Sequence, residues 1–232
     1  MGSEGVPVTR IHVTGFKKFH GVAKNPTEVI VGRLSSYFKD GGLPQGFTLE
    51  SATVLETAGE GALPTLMDLL DAAISPPSSS AHRKLGSFIE QPDPSSGRVL
   101  WIHFGVNSGA SRFAIERRAV NEATFRCPDE MGWQPQRVQI APEDGPLSAT
   151  RETTLPAAEI VRCLASKGFE VTLSDDAGRF VCNYVYYQSL RHARANGTVC
   201  IFVHVPLFSR IEEDVQMQFV ASLMEVLAQE LQ

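Results

Sequence analysis

The chain carries four cysteines, at positions 127, 163, 182 and 200, and Cys182 stands where a thiol becomes reactive. It follows Ser174-Asp175-Asp176-Ala177-Gly178-Arg179-Phe180-Val181, which reads as the end of a strand, a glycine turn and the first residues of a helix. Val185, Tyr186, Ser189, Leu190 and Ala193 then recur at helical spacing. A sulfur at a helix N-terminus sits among unbonded N–H groups and the positive end of the macrodipole. That setting favours thiolate, the nucleophilic form. The other reading of this stretch alone is a small buried residue on a packed helix face.

Thiol catalysis needs an imidazole to take and return a proton and a third group to hold the imidazole. His204 closes the apolar run Val199–Val205 just before Pro206, in the element that follows the Cys182 helix. A histidine closing a buried strand is also an ordinary core residue. Glu116, in Phe113-Ala114-Ile115-Glu116-Arg117-Arg118, is a candidate for the orienting carboxylate. Taken alone, it reads first as a surface carboxylate paired with arginine. Spacing leaves both alternatives open.

These groups must be positioned by strands and helices in alternation. Residues 8–14 read as a strand ended by Gly15. Asn25 then caps a helix with Pro26 at its first position, striped by Ile30, Leu34 and Phe38 and stopped by Gly41-Gly42. A strand over 48–57 and a helix marked by Leu63, Leu66, Met67, Leu70 and Ile74 follow. The Pro- and Ser-rich residues 75–97 read as a mobile surface loop within one domain. Val99 to Gly105 is a near-continuous apolar run, the mark of a strand covered on both faces. The region 113–145 shows no clear period. Beyond it come a helix around Ile160, Val161 and Leu164, a strand at 171–173, the Cys182 helix over 182–195, and a strand at 199–205. A final helix carries Val215, Phe219, Leu223, Leu227 and Leu231. The pattern predicts a single α/β domain over 1–232, with a mainly parallel twisted sheet sandwiched between helices. Reactive groups in such sheets gather at the carboxyl ends of the strands. Phe16 and Phe19, the loop after Gly105, the turn into Cys182, and His204 all fall there.

Composition narrows the function. With 43% hydrophobic and 20% charged residues and a net charge of −5, the chain has no basic stripe and gives no reason to expect nucleic acid. No apolar run reaches the ~18 residues of a membrane span. Met1 to Pro7 lacks the pattern of a secretion signal, and Val6 stands where a myristoylation motif wants Ser or Thr. Four cysteines in a chain of this length, without a secretion signal or metal-ligand spacing, suggest reduced thiols in the cytosol.

Several blocks together are more specific. They are Val13-Thr14-Gly15-Phe16-x-x-Phe19-x-Gly21 with Asn25-Pro26-Thr27, then Ile115-Glu116-Arg117 with Ala119-Val120-Asn121 and Arg126-x-Pro128-Asp129. Ser174-x-x-Ala177-Gly178-x-x-x-Cys182-Asn183-Tyr184-Val185 and Val203-His204-Val205-Pro206 complete the set. In this order, from about Ile11 to the last helix, the chain resembles the pyroglutamyl peptidase I (pyrrolidone-carboxyl peptidase) family of cysteine exopeptidases. The residues around the blocks look more like its plant branch than its bacterial one.

The resemblance implies an omega-peptidase that removes N-terminal pyroglutamate from peptides without metal or cofactor. It implies Cys182 as nucleophile, His204 as general base and acid, and Glu116 as the residue orienting His204. Phe16 and Phe19 match the aromatic wall for the substrate ring, although their ordinary reading is core packing. Asn25 matches a residue holding the pocket and lactam, and Val106 one whose backbone carbonyl meets the lactam N–H. Phe180 and Val181 match pocket residues, and Arg126 an arginine near the reacting carbonyl. Homo-oligomers and monomers both occur in the family.

Pyroglutamate is a closed lactam without an ammonium group, so its reader needs an apolar slot and a few fixed partners for one N–H and one C=O. The chain departs from the family pattern at Lys17-Lys18, which replace Glu-Pro, and at His20, which replaces Gly. It departs again at Ser108-Gly109-Ala110, which lacks an arginine, and at Asp176, where Ser is common. Two other readings are a non-catalytic binder of pyroglutamyl peptides and a cysteine amidohydrolase acting on small lactams or amides.

Overall fold

In chain order the elements are β1 (Thr9–Phe16), α1 (Pro26–Gly41), β2 (Phe47–Leu55), α2 (Leu63–Ile74), β3 (Arg98–Val106), β4 (Phe113–Glu116), β5 (Arg118–Val120), β6 (Thr150–Glu152), α3 (Ala157–Ser166), β7 (Val171–Ser174), α4 (Val181–Asn196), β8 (Val199–Val205) and α5 (Glu213–Glu230). The computed structural model describes residues 8–74 and 97–231. Apart from Gly97, the loop read at 75–97 lies outside the described residues, as do Met1 to Pro7.

Six strands form one sheet in the order β2-β1-β3-β8-β4-β7. The strands β2, β1, β3 and β8 run parallel. At β4 the direction reverses: β4 is antiparallel to β8 and parallel to β7. The sheet is therefore mostly parallel, with a turned pair at one edge. A two-stranded antiparallel ribbon of β5 and β6 stands beside it.

One face of the sheet buries Ile11, Val13, Ile102, Phe104, Ile201 and Val203 under α1, α3 and α5. The other buries Trp101 and Phe202 under α2 and α4, with Leu66, Leu70, Tyr186 and Tyr187. β3 is covered on both sides, which is why its sequence is nearly continuous in apolar residues. Each such fully buried side chain contributes about 1.5–3 kcal/mol.

The α1 start behaves as its sequence predicts, with the Asn25 side chain accepting from the Thr27 N–H and Pro26 following. The apolar stripe of α5 is shorter than its spacing predicts. Phe219, Leu223 and Leu227 are buried, but Val215 is exposed and Leu231 only half-buried. A spacing of four residues drifts by about 40° per step around an α-helix, so positions two steps from Leu223 rotate off the buried face. The region 113–145, without a sequence period, holds β4 and β5. Strands of four and three residues are too short to show one.

Candidate active site

A cavity of about 600 Å³ opens at the carboxyl ends of β1, β3 and β8, and all ten site residues expected from the sequence line it. They are Phe16, Phe19, Asn25, Val106, Glu116, Arg126, Phe180, Val181, Cys182 and His204.

Cys182 is the second residue of α4, and no side chain caps that helix start. The first-turn N–H groups thus remain without a capping partner near the sulfur. Cys182 is seated directly over β3: a methyl group placed on Gly105 would lie 2.9 Å from Sγ. Gly105 is the register partner of His204 on β8, so sulfur and imidazole share one face of the sheet. Cys182 acts on the His204 ring as the main partner favouring its protonated form. His204 Nδ1 lies 2.7 Å from Glu116 Oε1, which leaves Nε2 for the sulfur.

Glu116 is only 2% exposed, which removes the surface-carboxylate reading. The antiparallel turn of β4 brings it there, because Glu116 pairs with Phe202, two residues before His204. Tyr186, one helical turn beyond Cys182, donates its hydroxyl to the Glu116 carbonyl at 2.8 Å. The same ring packs on Phe202 at 5.4 Å. One buried tyrosine therefore ties the helix of the thiol to the strands of the carboxylate and the imidazole.

Burial by itself would lower the pKa of His204, but Cys182 and Glu116 outweigh it and raise the value to about 10. The imidazolium is held at neutral pH. Because this value is raised in the fold, its contribution to stability is complete below about 6.5 and is lost as pH rises through about 10. Glu116→Gln removes one of the two groups that hold the proton. It should move the alkaline limb of the kcat/KM pH profile downward and lower kcat by roughly 10²-fold or more, since the ring also loses its fixed orientation. An unmoved alkaline limb in a pH-rate titration would count against this role.

The walls are built as follows. Phe16 ends β1, is 2% exposed, and has its ring 6.5 Å from that of Phe202. It serves core and cavity together. Phe19 is half-buried in a short backbone bridge to Val22. Phe180 packs on Phe125 at 4.5 Å, and the Arg126 guanidinium lies 6.0 Å from the Phe180 ring centre. Val181 is buried, and Val106 closes β3 at the cavity edge. Asn25 spends its oxygen on Thr27 and one N–H on the Lys17 carbonyl at 2.9 Å, so its visible work is to shape the wall.

Lys17, Lys18 and His20 do not line the cavity, and Lys17 pairs with Glu56. Asp176 accepts from the Gly178 N–H and pairs with Arg179, which fixes the turn into α4. Asn183 and Asp129 stand in the sequence blocks, but their spacing does not reveal the supporting roles they take. Asn183 is fully buried and bonds both backbone groups of Val120, clamping α4 to β5. Asp129 receives the N–H groups of Gly59, Met131 and Trp133. Gly105 read only as a strand end, and nothing in the sequence marks a glycine that lies under a sulfur.

A thiol, an imidazole and a carboxylate in series at the carboxyl edge of a three-layer α/β sheet define a cysteine hydrolase. Comparison with known proteins agrees. The family model described as pyroglutamyl peptidase matches residues 80–226. The pyrrolidone-carboxylate peptidase of Pyrococcus furiosus is 31% identical over 199 residues, spanning 85% of this chain and 80% of that protein. That of Pseudomonas fluorescens is 39% identical over 129 residues, covering 55% of this chain and 57% of that protein. A solved structure of a mutant pyrrolidone carboxyl peptidase from Pyrococcus furiosus superposes with a TM-score of 0.77 at 26% identity, covering 96% of this chain and all of that one. The chain belongs to the pyroglutamyl peptidase family of cysteine hydrolases.

Proposed function

We propose that this chain hydrolyses the amide bond after an N-terminal pyroglutamyl residue through a thioester on Cys182. The thiolate attacks the pyroglutamyl carbonyl and forms a tetrahedral oxyanion. The free N–H groups at the start of α4 and the Arg126 guanidinium stabilise that charge. The His204 imidazolium gives its proton to the departing amine as the C–N bond breaks. Neutral His204 then takes a proton from water, which attacks the thioester and releases 5-oxoproline with the thiol restored. Glu116 holds the ring throughout. The rings of Phe16, Phe19 and Phe180 with Val181 form the slot for the lactam, and Val106 offers its carbonyl to the lactam N–H.

The observation that carries this reading is the 2.7 Å His204–Glu116 contact, with Cys182 on the same imidazole, inside a cavity walled by phenylalanine. All four cysteines are free, which suits a reducing compartment, the cytosol. No helix among the described residues is long and apolar enough to cross a membrane.

The test is release of a fluorophore from a pyroglutamyl amide, set against the matching prolyl amide, whose ring bears a charged nitrogen. Turnover of the first and not the second is the expected result. Tight binding of pyroglutamyl peptide without product would make the chain a binder. Turnover confined to small amides would make it a metabolite amidohydrolase.

Iodoacetamide should label Cys182 well before Cys163 and Cys200. Burial and the neighbouring Glu159 raise the Cys163 thiol, and complete burial raises that of Cys200. Equal labelling of Cys182 and Cys163 by peptide mapping would contradict an activated thiol at 182.

A further inference from the structure

The sheet order gives the cavity a direction. Cys182 lies over Gly105 on β3, and the aromatic slot lies on the β1 side. The departing peptide must then run the other way, across His204 toward Ala114 and Thr172, which follow it in register on β4 and β7. Two strand spacings, about 10 Å, separate the imidazole from Thr172, a distance spanned by roughly three residues of extended peptide. Ala114, Thr172 and Ser174, all small, line the cavity on that side.

The charges along this path do not cancel. Glu116 is committed to His204, and Asp176 to Arg179 and the Gly178 N–H. Arg112, at the mouth of the loop into β4, lines the cavity and is exposed, and its guanidinium has no ion-pair or hydrogen-bond partner among the described residues. A guanidinium left free beside a peptide path offers a planar fork that matches a carboxylate.

We propose that Arg112 forms a carboxylate subsite on the leaving-peptide side of the cleft, so that the enzyme prefers pyroglutamyl peptides with an acidic group within about three residues after the scissile bond. The group is either an acidic side chain or the free C-terminus of a short peptide. This rests on the peptidase reading above.

The test measures kcat/KM for two pairs of tripeptides. Pyroglutamyl-alanyl-alanine is compared with its C-terminal amide, and amidated pyroglutamyl-aspartyl-alanine with its asparaginyl counterpart. At low salt at least one acidic member should be favoured by roughly fivefold, and the arm that shows it identifies the source of the carboxylate. The preference should shrink in about 1 M salt, where the screening length is only ~3 Å. Arg112→Gln should bring the acid-to-neutral ratio to about one, and Arg112→Glu should invert it. Each ratio is taken within a single variant, so general damage cancels. Neutral peptides turned over with no acidic preference, or a preference that survives in R112Q, would overturn the subsite while leaving the peptidase reading intact. No turnover of any of the four peptides by the native chain would overturn both.

Discussion

Replacing Cys182 with Ala should slow hydrolysis of a pyroglutamyl amide by about 10⁴-fold or more. The loss is large because the covalent route disappears altogether, and the slot and oxyanion donors that remain give only modest acceleration. In the proposed mechanism sulfur, imidazole and carboxylate work as a unit, so the same logic makes the losses non-additive. C182A/H204A should be no slower than C182A alone. Fold should survive, since Cys182 is only partly buried and Ala keeps the helix start. Steady-state rates combined with circular dichroism separate the two effects. A folded C182A chain with native turnover would end the thioester mechanism. Costs that simply multiply in the double variant would show that the two residues do not act together.

The second large effect lies at a residue with no functional group. Gly105→Ala should lower kcat by roughly 10²-fold and destabilise the fold by about 1–3 kcal/mol. The added methyl would sit 2.6 Å from the Phe202 ring and 2.9 Å from the Cys182 sulfur, closer than packed carbons approach. Phe202 has little freedom to yield, because Tyr186 packs on it at 5.4 Å and His204 at 5.0 Å. The start of α4 must therefore lift, and the sulfur leaves its place beside the imidazole. Phe202→Leu in the same chain makes room and should recover part of both losses. The measurements are kcat for a pyroglutamyl amide and the thermal midpoint of each variant. Native turnover by G105A would mean that the thiol is not held against β3 as described.

Much of this site could be read before any coordinates were known. Cys182 lies just after a glycine turn at the head of a helix, and His204 closes an apolar strand. Both positions follow from local pattern, because capping and periodicity depend on residues a few places apart. Asn25 and Pro26 announced α1 in the same way. Glu116 was one candidate among two readings until the resemblance favoured it, since its strand has four residues and its neighbours Arg117 and Arg118 suggest a surface. Burial of that carboxylate follows from the pairing of β4 with β8, an antiparallel turn that no local pattern encodes. Tyr186 and Arg112 likewise acquire meaning only from what stands opposite them.

The amino-acid sequence alone determined the kinds of elements, their alternation, the caps and where candidates for proton and sulfur chemistry fall, because those are short-range effects of sterics and hydrogen bonding. Only the tertiary structure decided that residues 88 positions apart would meet at 2.7 Å and that Phe16, Phe19 and Phe180 would wall the same cavity. Strand order and direction set those outcomes. They are fixed by the burial of both sheet faces at once, a long-range condition on the whole chain rather than on any stretch of it.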